Sequence, residues 1–181
     1  MSERAHDLDN PTGDPYVASL FAALGSRDPF DVLEETPTAL RAAVAGLTKE
    51  QQGTPEREGK WSVRHVVQHL ADSELVLAFR FRMTLAHDAP ALPGYDQDRW
   101  ADRLRYVESD IETALADFAM LRRSNVRLLR RASSDERRRV MRHSERGDES
   151  VEKLLCMDAG HDVVHLRQIA RIRRAIGADG A

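Results

Sequence analysis

Apolar residues recur at helical spacing through most of this chain. The segments they define open at cap signals and stop at proline or glycine. That pattern predicts an all-α fold, since no segment shows strand-like alternation between hairpin turns. Residues 15–35 read as one or two short helices broken at Gly25 and Pro29. Thr36 then reads as an N-cap with Pro37 in the first helical position. Leu40, Val44 and Leu47 carry that helix to Thr48, where Thr48 and Gln51 form a capping box for one more turn. Ser62 opens a long helix to about His87, with Val63, Val66, Val67, Leu70, Leu77 and Phe81 as its stripe. Pro90, Pro93 and Gly94 end it. Ser109 and Glu112 suggest a second capping box, and the helix behind it runs to Ala132. Ser150 opens the last helix and Gly177 is placed to end it.

Four main helices with a long crossover between the second and third predict a four-helix bundle. The 181 residues fit a single domain over 15–181 behind a flexible tail at 1–14. Composition narrows the function classes. No run approaches the roughly 18 apolar residues of a membrane span. The start, Met1 to Asp14, is polar without a signal-peptide core, so the sequence reads as cytoplasmic. The single cysteine, Cys156, excludes an internal disulfide and a Cys-rich zinc finger; it lies off the inward stripe as a small helix residue. A net charge of −3 argues against a generally basic nucleic-acid binder. Residues 122–146 hold ten arginines against Asp135, Glu136 and Glu145. No aromatics interleave there for base stacking, so a solvated helix end is the simpler reading.

The histidines carry the chemistry. His161 and His165 stand four residues apart, on one helix face about 6 Å apart along the axis. They replace apolar residues on the inward stripe between Leu154 and Ile172. A buried imidazole needs hydrogen-bond partners or a metal. The second helix supplies His65 and His69 at the same spacing. One inward histidine from it would complete a three-His site with an open position, the pattern of a catalytic metal. Asp72, one turn after His69, is a candidate base or ligand-orienting group. Asp158 and Gln168 flank the last pair as further orienting candidates. Read as a variant of HExxH, His161 to His165 carries Asp162 for the glutamate and lacks a downstream third ligand. His6, His87 and His143 read as solvated side chains.

The segment Trp61-Ser62-Val63-Arg64-His65-Val66-Val67-Gln68-His69-Leu70-Ala71-Asp72 resembles the WSxxxxxxHLxD motif of the DinB/YfiT-like superfamily, damage-inducible bundle proteins distinct from the DNA polymerase sharing that name. Leu92 to Asp98 is similar to the aromatic-acidic crossover of one branch. His161-xxx-His165-Leu166-Arg167-Gln168-Ile169 resembles the terminal HxxxHxxQI. The resemblance spans about residues 30–176. It implies a four-helix bundle holding a divalent metal on His69, His161 and His165, and a homodimer. Zinc or nickel is expected, with iron or manganese as alternatives. His65 stands where relatives commonly carry Glu, so a fourth ligand stays open.

The leading functional expectation is a transferase that joins a low-molecular-weight thiol, of the bacillithiol or mycothiol kind, to an electrophilic small molecule. Arg82 or Arg142 would hold the thiol's carboxylates. The alternative is a metal-dependent hydrolase with Asp72 as possible base, and the third a stress-response binding protein whose metal is structural.

Overall fold

The computed structural model describes residues 13–178, so residues 1–12 of the expected tail lie outside it. Eight helices are described: α1 Pro15–Leu24, α2 Pro29–Val44, α3 Lys49–Gly53, α4 Val63–Ala86, α5 Gln97–Arg103, α6 Ile111–Arg131, α7 Ser134–Arg137 and α8 Val151–Ala175. Of these, α2, α4, α6 and α8 form the expected four-helix bundle.

Several boundaries are set by side chains other than those the sequence suggested. Asp28 caps α2, accepting from the Phe30 N–H at 2.8 Å, and the helix runs straight through Thr36 and Pro37. Thr36 is therefore no N-cap: its hydroxyl donates back to the Val32 carbonyl at 2.8 Å. Pro37 has no N–H for the Leu33 carbonyl one turn earlier. Arg122, reaching across from α6, donates to that carbonyl at 3.3 Å. At the start of α6, Asp110 accepts from the Thr113 N–H at 2.9 Å, while Ser109 bonds back to Tyr106, so the Ser109–Glu112 box does not form. The Thr48–Gln51 box and the Ser150 cap form as expected.

Three short strands correct the purely helical expectation: β1 Ala91–Leu92, β2 Val140–His143 and β3 Gly147–Ser150. β1 pairs parallel with β2, Ala91 opposite Arg142. β2 pairs antiparallel with β3, Val140 opposite Ser150 and His143 opposite Gly147. Strands of two to four residues are too short to show a period in sequence.

Cross-helix contacts fix the chain directions. Arg41 meets Glu112 and Arg130 meets Glu34, so α2 and α6 are antiparallel. Arg64 near the start of α4 reaches the Val107 carbonyl just ahead of α6, while Arg82 near its end reaches Ser124 and Asn125 in the second half of α6, so those two helices run parallel. Arg173 at the end of α8 donates to the carbonyls of Ala43 and Ala45 at the end of α2. The bundle is thus up-down-down-up, and the chain from 87 to 110 must travel its length to start α6 in the same direction as α4. β1, α5 and a 3₁₀ turn at Tyr106–Glu108 lie on that path.

α1 rests on the outside of α8. Gly160 makes this possible, because a Cβ there would stand 2.2 Å from the Leu20 carbonyl oxygen. The apolar core falls into two halves. One gathers Leu33, Phe81, Leu129, Met141 and Leu154; the other gathers Leu40, Val66, Leu70, Phe118 and Ile172. Between them lies a belt of buried polar side chains from α4, α6 and α8, with Glu74, Arg122, Asn125, Asp158 and Asp162 all at most 3% exposed.

Candidate metal centre

The belt carries the histidine cluster on its cavity side. α8 presents His161 and His165, and antiparallel α4 brings His69 to the same level. His69 Nε2 lies 3.1 Å from His161 Nε2, which lies 3.0 Å from His165 Nε2. The three nitrogens lie within 4.8 Å of one another. Hydrogen bonding alone cannot satisfy them. A neutral imidazole nitrogen either donates one proton or accepts at one lone pair, and His161 Nε2 faces two partners. A cation at the shared point could take a lone pair from each. The second nitrogens agree for His165, whose Nδ1–H donates to Gln168 Oε1 at 2.8 Å, leaving Nε2 with its lone pair. His69 is buried against Trp61, ring centroids 4.9 Å apart.

Burial sets the protonation of this cluster. It lowers the pKa of all three histidines, with neighbouring imidazoles adding to the effect at His69 and His161. His69 is brought down to about 3. Each ring is therefore a neutral donor at pH 7. A histidine with a depressed folded pKa stabilises the fold above its unfolded value near 6.5, and that stability is lost as pH falls towards the folded value. Metal-free protein is expected to lose on the order of 1.5 kcal/mol from His69 alone between pH 6.5 and 5. Urea unfolding at the two pH values would measure it. A His69→Leu variant should show a shallower acid loss, and an equal one would refute the assignment.

A cavity of about 260 Å³ opens from His69 and His161. Its walls include Ser73, Tyr95, Asp158, Arg80, His143 and Arg146. Ser73 Oγ lies 3.4 Å from His69 Nε2 and 2.8 Å from the Tyr95 hydroxyl.

This bundle and its histidine triad have counterparts among known proteins. The family pattern of the DinB superfamily matches residues 32–169. The chain belongs to the DinB superfamily. It is 33% identical over 147 residues to YfiT of Bacillus subtilis (strain 168), covering 81% of this chain and 83% of that one. A relative from Oceanobacillus iheyensis is 32% identical over 140 residues, covering 77% and 81%. Their names place both, by name alone, among metal-dependent hydrolases. The solved structure of YfiT, described as "a probable metal-dependent hydrolase with an unusual four-helix bundle topology", has a TM-score of 0.78 at 32% identity and covers 82% of this chain and 86% of that one.

Other residues singled out in this DinB-superfamily sequence fall elsewhere. His65 stands off the cluster, its Nδ1 2.8 Å from Ser62 Oγ. Asp72 also faces away. It accepts from the Tyr106 hydroxyl at 2.5 Å and from Gln68 at 3.2 Å, and borders a second cavity with Leu104 and Arg105. It belongs to the seam between α4 and the crossover, and Ser73, the next residue, is the one that faces the histidines.

Asp162 cannot act as the base of an HExxH-like site, because it is fully buried against the Arg122 guanidinium. Asp158 accepts from Arg122 at 3.2 Å through one oxygen, while the other is buried without a partner. Arg82 is spent on Ala78, Asn125 and Ser124, and Arg142 lies exposed beside Asp148. The arginines of the cavity are Arg80 and Arg146. His143 is a buried strand residue rather than a solvated one. His6 lies outside the described residues. In the Arg-rich segment Arg122, Arg130, Arg137, Arg138, Arg139 and Arg146 each meet a carboxylate, which breaks up the positive patch. Burial pushes the Cys156 thiol up to about 12, so it offers no thiolate.

Sequence reasoning missed Ser73 and Arg80. The signal was present: they follow His69 at i+4 and i+11 on one face of α4. Among the described residues no helix is long and apolar enough to cross a membrane.

Proposed function

We propose that this chain is a metal-dependent hydrolase of a small molecule, with His69, His161 and His165 holding one divalent cation. The carrying observation is the convergence of three neutral imidazole nitrogens at the foot of an open cavity. A cation with three protein ligands supplies an acidified water and a Lewis acid for a bound carbonyl. Zinc or nickel suits an all-imidazole set first, with iron or manganese as alternatives.

The chain's own residues have separable tasks. Gln168 fixes the ring of His165. Burial raises the Tyr95 pKa, so its hydroxyl keeps its proton and can donate to a substrate oxygen beside Ser73. Burial also holds Asp158 well above the usual carboxylate range, one turn before His161, which suits it to carry a proton for a leaving group. Asp72 acts at one remove, by fixing Tyr106 and with it the end of the crossover.

Thiol transfer to an electrophile is the second reading. A protonated Asp158 is a poor base, and a thiol bound in place of water ionises without one. Hydrolysis of an ester and amide panel, set against conjugation of bacillithiol or mycothiol to an alkylating electrophile, separates the two. The expected result is chelator-sensitive hydrolysis that vanishes in His161→Ala. Conjugation without hydrolysis would establish the second reading. A metal saturated by four protein ligands, with neither activity, would make the site structural.

A further inference from the structure

Arg80 is a buried cation without a carboxylate partner. It projects from α4 on the stripe that begins at His69 and Ser73, and only 7% of it is exposed. Nη2 donates to the Pro93 carbonyl at 2.8 Å and faces His143 Nε2 at 3.2 Å. Both partners are neutral. Among the described residues Nε and Nη1 have no hydrogen-bond partner, yet they are not sealed from solvent, and the side chain lines the cavity.

The neighbouring guanidiniums are treated differently. Arg122 is closed in by Glu74, Asp158 and Asp162. Arg146, on the same cavity wall as Arg80, is spent on Glu149, with contacts of 2.8 and 3.0 Å. Glu145 also lines the cavity, but it forms no ion pair with Arg80 within 4.0 Å. Removing a charge from water without a counter-charge is expensive. Burial and the nearby Arg146 lower the pKa of Arg80 by more than the more distant Glu149 and Glu145 raise it. A fold that keeps such a group facing an open cavity is completed by an anion from outside. Side chains on a helix lean towards its N-terminus, which carries the Arg80 head back towards Ser73 and the histidines.

We propose that Arg80 anchors a carboxylate of the substrate, so that the cavity takes a small carboxylic acid whose reacting bond lies at the histidine cluster. With Nη2 turned to the loop and strand, Nε and Nη1 remain to donate single charge-assisted hydrogen bonds to a carboxylate oxygen. The loop carbonyl of Pro93 and the strand residue His143 hold the guanidinium in place. The substrate class rests on the preceding functional reading for its reacting end. The anion site itself does not.

Titration calorimetry with glutarate, and with glutaramide as its uncharged counterpart, tests the site. The protein is used both chelator-treated and zinc-loaded. Glutarate is expected to bind chelator-treated protein at least roughly tenfold more tightly than glutaramide. Arg80→Gln should remove that preference and leave metal content unchanged; Arg80→Lys should keep part of it. Equal binding of the two probes, or glutarate affinity unchanged in Arg80→Gln, would overturn the proposal. If Arg80→Gln fails to fold, by circular dichroism, the probe comparison and Arg80→Lys decide. Glutarate binding that follows Arg80 in a protein that takes up no metal would sink the metal reading and spare this one.

Discussion

Alanine in place of His69, His161 or His165 is expected to lower metal affinity by more than about 100-fold in each case, a loss beyond that of removing an outer-shell partner. His65→Ala should leave it within a few-fold. The first three side chains converge with Nε2 separations of 3.0 and 3.1 Å along the cluster, whereas His65 is paired with Ser62 at the start of its helix. Each ligand deletion also leaves two lone pairs facing an emptied point. The apolar halves of the core are untouched, so helical circular dichroism should persist and the loss should be read as metal content. Full metal occupancy in His69→Ala, or its loss in His65→Ala, would show that the wrong histidine of the α4 pair has been chosen.

Arg122→Met is the substitution expected to cost most stability, about 3–5 kcal/mol, as when one partner of a buried ion pair is removed. It corresponds to a fall in melting temperature on the order of 10 °C for a chain of this size. Arg122 is 2% exposed and meets Glu74 at 2.8 Å, Asp158 at 3.2 Å and Asp162. It also serves the Leu33 carbonyl that Pro37 leaves without a helical partner. Methionine keeps much of the apolar stem and its packing on Phe118, so the loss reports the charge and hydrogen bonds. Chemical denaturation of wild type and variant would measure it. A loss below about 0.5 kcal/mol, inside the range of ordinary surface changes, would show that the belt relaxes by protonation or water entry.

The bundle was legible in the sequence because its signals are local and repeated. Stripes such as Val63, Val66, Leu70 and Phe81 need no knowledge of their partners. The histidine pair on α8 was legible for the same reason, and the choice of His69 over His65 drew on a motif. Contacts made across the fold were not legible. Arg122 reads as one arginine among ten in a basic stretch, and only the convergence of three helices shows it closed in by carboxylates. Asp72 follows His69 by one turn and looked like its companion, yet the helical angle sends it towards Tyr106. Thr36-Pro37 carries a strong start signal, but Asp28 and Pro29 form the same signal two turns earlier in the same helix, and the donor from α6 serves the carbonyl that the interior proline leaves open. The strands of 140–150 are held by pairing with each other and with Leu92, which no short window contains.

The polar belt has a consequence for how the helices are indexed along their axes. Apolar attraction is non-directional, yet a slide of α8 by one turn would already set His165 at the place of Ile169 and Gln168 at that of Ile172. The belt opposes it as well. Moved four residues along, α8 would set Leu154 at the place of Asp158 beside the Arg122 guanidinium and Met157 at that of His161. One of the two carboxylates that α8 offers Arg122 would be lost, in a place water reaches poorly. The layer thus acts as a registration mark. It pins α8 axially against α4 and α6, and so holds the nitrogens of His69, His161 and His165 within 4.8 Å of one another across two helices.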